Sequence, residues 1–110
     1  MVRLRTTQDV ERVRREGKAY PHPLVVVMVA GQPEPPGPTR AAVVAGRKVG
    51  SAVQRNRAKR LMREALRALP ITPGHDLVLI ARAGLPASTL TQVTEAVSRC
   101  LGPAGVLGAP

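Results

Sequence analysis

Between Arg47 and Arg67 lie eight cations and a single acid, Glu64. Arg55, Asn56 and Arg57 are consecutive there, and Lys59, Arg60, Arg63 and Arg67 follow. Guanidinium groups present planar, forked donors that match phosphate oxygens. Asn56 offers both a donor and an acceptor, suited to a base edge or a 2′-hydroxyl. The acids that normally interleave with cations on a solvated helix are nearly missing, so these residues point to binding a polyanion. Arg47 and Lys48 precede a helix start at Ser51, whose free amides add to a compact anion site. The whole chain agrees. Its 17 Lys and Arg stand against 7 Asp and Glu, a formal net charge of +10, and 14 of the cations are arginine.

Hydrolytic chemistry is much harder to assemble. His22 and His75 are the only histidines, and they form no i, i+4 metal pair. His75-Asp76 reads as a turn entering a strand, and the acids are scattered without a catalytic pair. Glu64, one turn beyond Arg60, is expected in a surface ion pair. The lone Cys100 excludes a disulfide framework and reads as core filler. Gly46 to Ser51 lacks the spacing of a nucleotide-binding loop and reads as a turn feeding a helix cap. No catalytic and no metal-ligating residue is expected. With one Tyr and neither Trp nor Phe, a sheet that stacks several bases on aromatic rings is excluded. Leu24 to Ala30, the longest apolar run, is too short to span a membrane, and no signal stretch opens the chain. A cytoplasmic protein without a membrane partner is expected.

A small scaffold must position these cations. The 110 residues, 44% of them apolar, make one domain with one modest core. The pattern predicts a single domain over residues 1–101 and a disordered tail over 102–110. Thr6 or Thr7 caps a first helix, Asp9 and Glu11 sit in its first turn, Val10 and Val13 form a thin apolar face, and Gly17 stops it. Leu24 to Ala30, Arg40 to Ala45 and Asp76 to Ala81 read as strands. Gly31 to Pro38 reads as an exposed loop joining two antiparallel strands, replaceable by a two-residue hairpin. Ser51 and Gln54 form a capping box for the basic helix. Ala58, Leu61, Met62, Ala65, Leu66 and Leu69 then define its buried face, and Pro70 and Pro73-Gly74 end it. Asn56, Lys59, Arg60, Arg63 and Arg67 stand opposite that face with Arg55 and Arg57 flanking, and Arg55, Arg57 and Lys59 are expected to bind without stabilising the fold. A last helix from Ser88 or Thr89 buries Leu90, Val93, Val97 and Leu101. The order predicts an α+β fold, one small sheet backed by helices.

The run from Arg47 to Glu64 closely resembles the signature of the protein subunit of bacterial ribonuclease P. Its Arg-Asn-Arg motif falls on Arg55, Asn56 and Arg57, followed by Lys59-Arg60 and Arg63-Glu64. Asp9 through Gly17 resembles the family's first helix, and Asp76 to Arg82 its strand entering the last helix. The resemblance implies a fold like the second domain of a small-subunit ribosomal protein. In it the motif helix makes a left-handed crossover between parallel strands, against the usual right-handed rule. It also implies partners: a catalytic RNA that cleaves the 5′ leader from precursor tRNA with Mg²⁺, and no obligate protein. The chain would be part of an endoribonuclease holoenzyme whose chemistry resides in the RNA.

The resemblance makes residues 1–101 an RNA-binding domain. It places Arg47, Lys48, Arg55, Asn56, Arg57, Lys59, Arg60, Arg63 and Arg67 on RNA, and the leader in a cleft between the first helix and the sheet. Where the family carries aromatics this chain has Val10, Arg14, Val25 and Met28, and Gly46-Arg47-Lys48 replaces the usual Ser-Lys-Lys. Leader contacts are therefore assigned to Val10, Arg14 and Met28, through van der Waals contact and arginine. Two other readings are a stand-alone RNA-binding module and a metal-dependent nuclease acting without RNA. The missing carboxylate pairs disfavour the second.

Overall fold

Helix α1, Thr7–Glu16, begins where Thr6 accepts a hydrogen bond from the Asp9 amide (3.1 Å), and it ends at Gly17. The computed structural model describes residues 1–108 and places this helix against one face of a five-stranded sheet. The strands are β1, Val2–Arg3; β2, Lys18–Pro21; β3, Val25–Gly31; β4, Arg40–Val44; and β5, His75–Ala81. Helices α2, Ala52–Arg67, and α3, Leu90–Leu101, pack on each other and on the opposite face. The α+β class is as expected.

Strand order is β1-β4-β5-β3-β2, with β5 antiparallel to β3 and parallel to β4. Helix α2 is thus the crossover of a parallel β4-α2-β5 unit. The Gly31 to Pro38 loop does not join paired strands, because β5 lies between β3 and β4. It spans two inter-strand gaps, about 9–10 Å in all. A two-residue hairpin joins only adjacent strands, so that replacement is ruled out. Gln32 ties the loop down. Its Nε2 donates to the carbonyls of Pro38 (2.8 Å) and His75 (3.0 Å), and its Oε1 accepts from the Gly37 amide (2.8 Å).

Helices α2 and α3 cover one sheet face and α1 covers part of the other, which is why β3 and β5 read as continuous apolar runs without alternation. Val25, Val27, Leu77 and Leu79 point toward α2 and α3, into a core with Ala58, Leu61, Met62, Val93 and Val97. A smaller cluster on the α1 side holds Leu4, Val13 and Val78. Leu69 lies beyond the end of α2 and is only partly buried. Leu90, expected inside, is 41% exposed at the start of α3, while Ala96 and Cys100 fill that face instead.

The expected disordered tail is corrected over residues 102–108. Val106 is fully buried, and its carbonyl accepts from the Thr72 amide (2.8 Å). The Gly108 amide donates to the Pro70 carbonyl (2.6 Å), and Leu107 bridges to Ile71. Glycine and proline content suggested fraying, but one apolar side chain with satisfied backbone partners outweighs that local bias. Residues 109–110 lie outside the described residues.

Candidate nucleic-acid interface

The site is built on α2, and its entrance is fixed by local chemistry. The Ser51 amide donates to Gln54 Oε1 (2.8 Å) while the Gln54 amide donates to Ser51 Oγ (3.3 Å), the reciprocal capping box. Gly50 precedes it at φ 138°, and a Cβ there would lie 1.8 Å from Gln54 Oε1, so only glycine fits. The short turn Arg47–Val49 buries Val49 and leaves Arg47 and Lys48 exposed beside the helix start.

Ala58, Leu61, Met62, Ala65 and Leu66 are buried, which decides where every other α2 side chain points. Asn56, Arg60, Arg63 and Arg67 follow at steps of four, three and four, a single stripe away from the core, with Lys59 on its flank. The other two motif arginines leave that stripe. Arg57 turns aside, and its Nε donates to the Pro86 carbonyl (2.7 Å) in the turn before α3. Arg55 sits three residues before Ala58 on the inward side, half-buried, with its Nε unpaired among the described residues. Periodicity separates these roles, but the Pro86 contact lies 29 positions along the chain and could not be read from spacing.

Among the described residues, none of the eight cations from Arg47 to Arg67 forms an ion pair, and neither does Glu64, which corrects the expected Arg60 partnership. The ion-paired arginines are Arg12, Arg15, Arg40 and Arg99. A face of arginines without carboxylate partners keeps its field and its donors for an external anion.

Arg57 is no longer a purely binding residue. Arg57→Ala removes a partly buried, charge-assisted hydrogen bond and is expected to cost about 1–2 kcal/mol, whereas Arg60→Ala should change stability by less than about 0.5 kcal/mol. Paired thermal melts check this. Equal melting temperatures would show the Pro86 contact to be energetically idle.

Val10 and Met28 meet in the apolar cluster between α1 and the sheet, and Arg14 is exposed one helical turn beyond Val10. Val25 is not on this face: it is fully buried under α2 and α3. Val26 takes that place, since it pairs in register with Ile80, which pairs with Val44. All three are half-buried and form an apolar row across three strands. Strand alternation is the signal for this row, but an unbroken valine run hides its phase.

At the other end of the same face lies Asp76, fully buried. Arg40 grips its carboxylate with two bonds (Nε to Oδ1 2.9 Å, Nη2 to Oδ2 2.6 Å), Gln32 Nε2 donates to Oδ1 (3.2 Å), and Arg12 Nη2 donates to Oδ2. Burial pushes the carboxyl pKa up, yet the bonds from Arg40, Gln32 and Arg12 outweigh it and hold it below the usual range. The hydrogen bond to Asp76 likewise raises Arg40. Arg12 belongs to α1 and Arg40 to β4, so this carboxylate pins the helix to the sheet. Cys100, whose thiol burial pushes up, is core filler in α3. Among the described residues no group of three or more His, Cys, Asp or Glu is placed to hold a metal ion, and no helix is long and apolar enough to cross a membrane.

The overall fold is shared with known proteins. The Ribonuclease P family model matches residues 1–105. The Ribonuclease P protein component of Herpetosiphon aurantiacus is 43% identical over 101 residues, covering 90% of this chain and 80% of that protein. The component of Chloroflexus aurantiacus is 38% identical over 111 residues, covering 98% and 81%. Among solved structures, the RNase P protein of Staphylococcus aureus superposes with a TM-score of 0.83 at 25% identity, covering 98% of this chain and 99% of that one. The protein from Thermotoga maritima gives 0.75 at 30% identity, covering 88% and 92%. With the family matched over nearly its whole length, the chain belongs to the Ribonuclease P protein family, the protein components of the RNase P holoenzyme.

Proposed function

We propose that this chain binds the catalytic RNA of ribonuclease P through Arg47, Lys48 and the outward face of α2, and the 5′ leader of precursor tRNA through the α1-side face of the sheet. The observation that carries this reading is the set of eight cations from Arg47 to Arg67, none in an ion pair among the described residues. Arg60, Arg63 and Arg67 meet phosphates, and Asn56 hydrogen-bonds a base edge or a 2′-hydroxyl. Arg57, whose Nε donates to the Pro86 carbonyl, offers its Nη groups to phosphate, and Arg55 and Lys59 flank the stripe. The leader lies along Val26, Ile80 and Val44 with Val10 and Met28, and Arg14 meets its phosphates.

In this reading the protein contributes substrate affinity, charge neutralisation and positioning to the endonucleolytic maturation of tRNA 5′ ends in the cytoplasm. Mg²⁺ enters with the RNA and the substrate in this reading. The left-handed sense of the β4-α2-β5 crossover belongs to the same proposal.

Reconstitution tests it: purified chain, labelled precursor tRNA and Mg²⁺, with and without bacterial ribonuclease P RNA at near-physiological salt. Cleavage should need the RNA and rise when the chain is added. Cleavage by the chain alone, or no effect on the RNA's activity, would overturn the proposal. The salt dependence is a separate prediction. If about five cations each neutralise a phosphate, log affinity should fall against log salt with a slope of roughly −3.5 to −4.5. A filter-binding titration that gives a slope shallower than about −1 would contradict an electrostatic interface.

A further inference from the structure

The stripe on α2 does not stop at the end of the helix. Arg63 and Arg67 form one wall of a groove of about 790 Å³, and Arg3 and Arg5 form the other. Arg3 pairs in register with Ala41 of β4, so its side chain stands on the α2 side of the sheet. Between them the lining includes exposed or half-exposed apolar side chains, Met1, Val2, Leu69 and Ile71, and no acid is among the described residues that line the groove. Arg3 and Arg5 are exposed and form no ion pair among the described residues.

We propose that this groove holds an unpaired segment of the RNA partner, with phosphates on the four arginines and a base against the apolar side chains between them. The inference rests on the proposed RNA-binding role and extends it around the β1 edge of the sheet. Charge complementarity selects the occupant, because four guanidinium groups without a carboxylate among them favour a polyanion over a peptide or a second copy of this basic chain. Shape and polarity select the unpaired form. A duplex presents backbone and hides its bases, whereas a single strand can lay a base on an apolar surface while its phosphates follow the cationic rim. The volume lies within the ~300–1,000 Å³ of small-molecule sites, room for a nucleotide.

The test titrates the full chain, as wild type, Arg3→Ala/Arg5→Ala and Arg60→Ala, against bacterial ribonuclease P RNA. The double variant should bind roughly tenfold more weakly at near-physiological salt, with a salt slope shallower by about 1.4–1.8 for two lost phosphate contacts. Arg3→Gln/Arg5→Gln, which keeps the aliphatic stems, should behave alike, so a folding defect in the alanine variant cannot mimic the result. Against wild type, a short single-stranded oligonucleotide should compete better than a duplex of equal length, and the double variant should lose that preference. Unchanged binding by the double variant beside weakened binding by Arg60→Ala would overturn the groove and leave the RNA-binding role standing. Unchanged binding by both would overturn the two together. Equal competition by single strand and duplex would overturn the unpaired segment.

Discussion

Leu61→Ala is expected to destabilise the domain by about 2–5 kcal/mol, which in a chain of this size lowers the melting temperature by roughly 10–25 °C. Leu61 is 5% exposed and sits in the core cluster between α2, α3 and the sheet, so its loss leaves a cavity that close-packed neighbours cannot fill. The size of the effect follows from the size of the domain: total stability of about 5–15 kcal/mol leaves little reserve. Arg60, one residue earlier, points the other way, and its alanine variant should melt like the wild type. Thermal melts of the two variants side by side check this. A shift below about 1 kcal/mol for Leu61→Ala would mean that α2 is held by something other than its apolar face.

Asp76→Asn is expected to cost about 2–4 kcal/mol at neutral pH, a range set below the usual loss for a buried ion pair because Arg12 and Arg40 keep part of their hydration. The amide retains a neutral acceptor but loses the charge that joins α1 to β4. The pH dependence has a definite sign. The native carboxyl titrates below its unfolded value, so the unfolded chain binds more protons in that window. The stabilisation is therefore complete above the unfolded value of about 4 and disappears as pH falls through the lower native value. Denaturant titrations across this range should show wild type and Asp76→Asn well separated at neutral pH and converging in acid. Parallel curves at all pH values would place the contribution of Asp76 outside its charge.

Several features lay open in the sequence because they depend on residues within one or two helical turns. The Thr6 cap of α1, the Ser51–Gln54 box and the buried face from Ala58 to Leu66 all satisfy backbone or apolar groups at spacings of three or four, which helical geometry makes neighbours. The outward stripe of Asn56, Arg60, Arg63 and Arg67 follows from the same periodicity, so most of the candidate RNA face was legible. Two strands were not: β1 has two residues and β2 four, too short to carry a period.

The remaining features depend on contacts that no local pattern encodes. Arg12 meets Asp76 across 64 positions and Arg40 meets it across 36, so an acid read as part of a turn became the buried link between a helix and the sheet. The insertion of β5 between β3 and β4 decided that the proline-rich loop bridges two gaps. The phase of β3 was decided with it, turning Val25 to the core and Val26 to the open face. Val106 and the Arg3–Arg67 groove likewise exist only once distant segments are side by side. The sequence by itself determined the helices, their caps, the charge and the family. Which side chains share a site across the sheet was left to the tertiary structure, because strand order and phase are chosen by which pairing buries the most apolar surface and leaves the fewest polar groups unpaired, a property of the assembled chain.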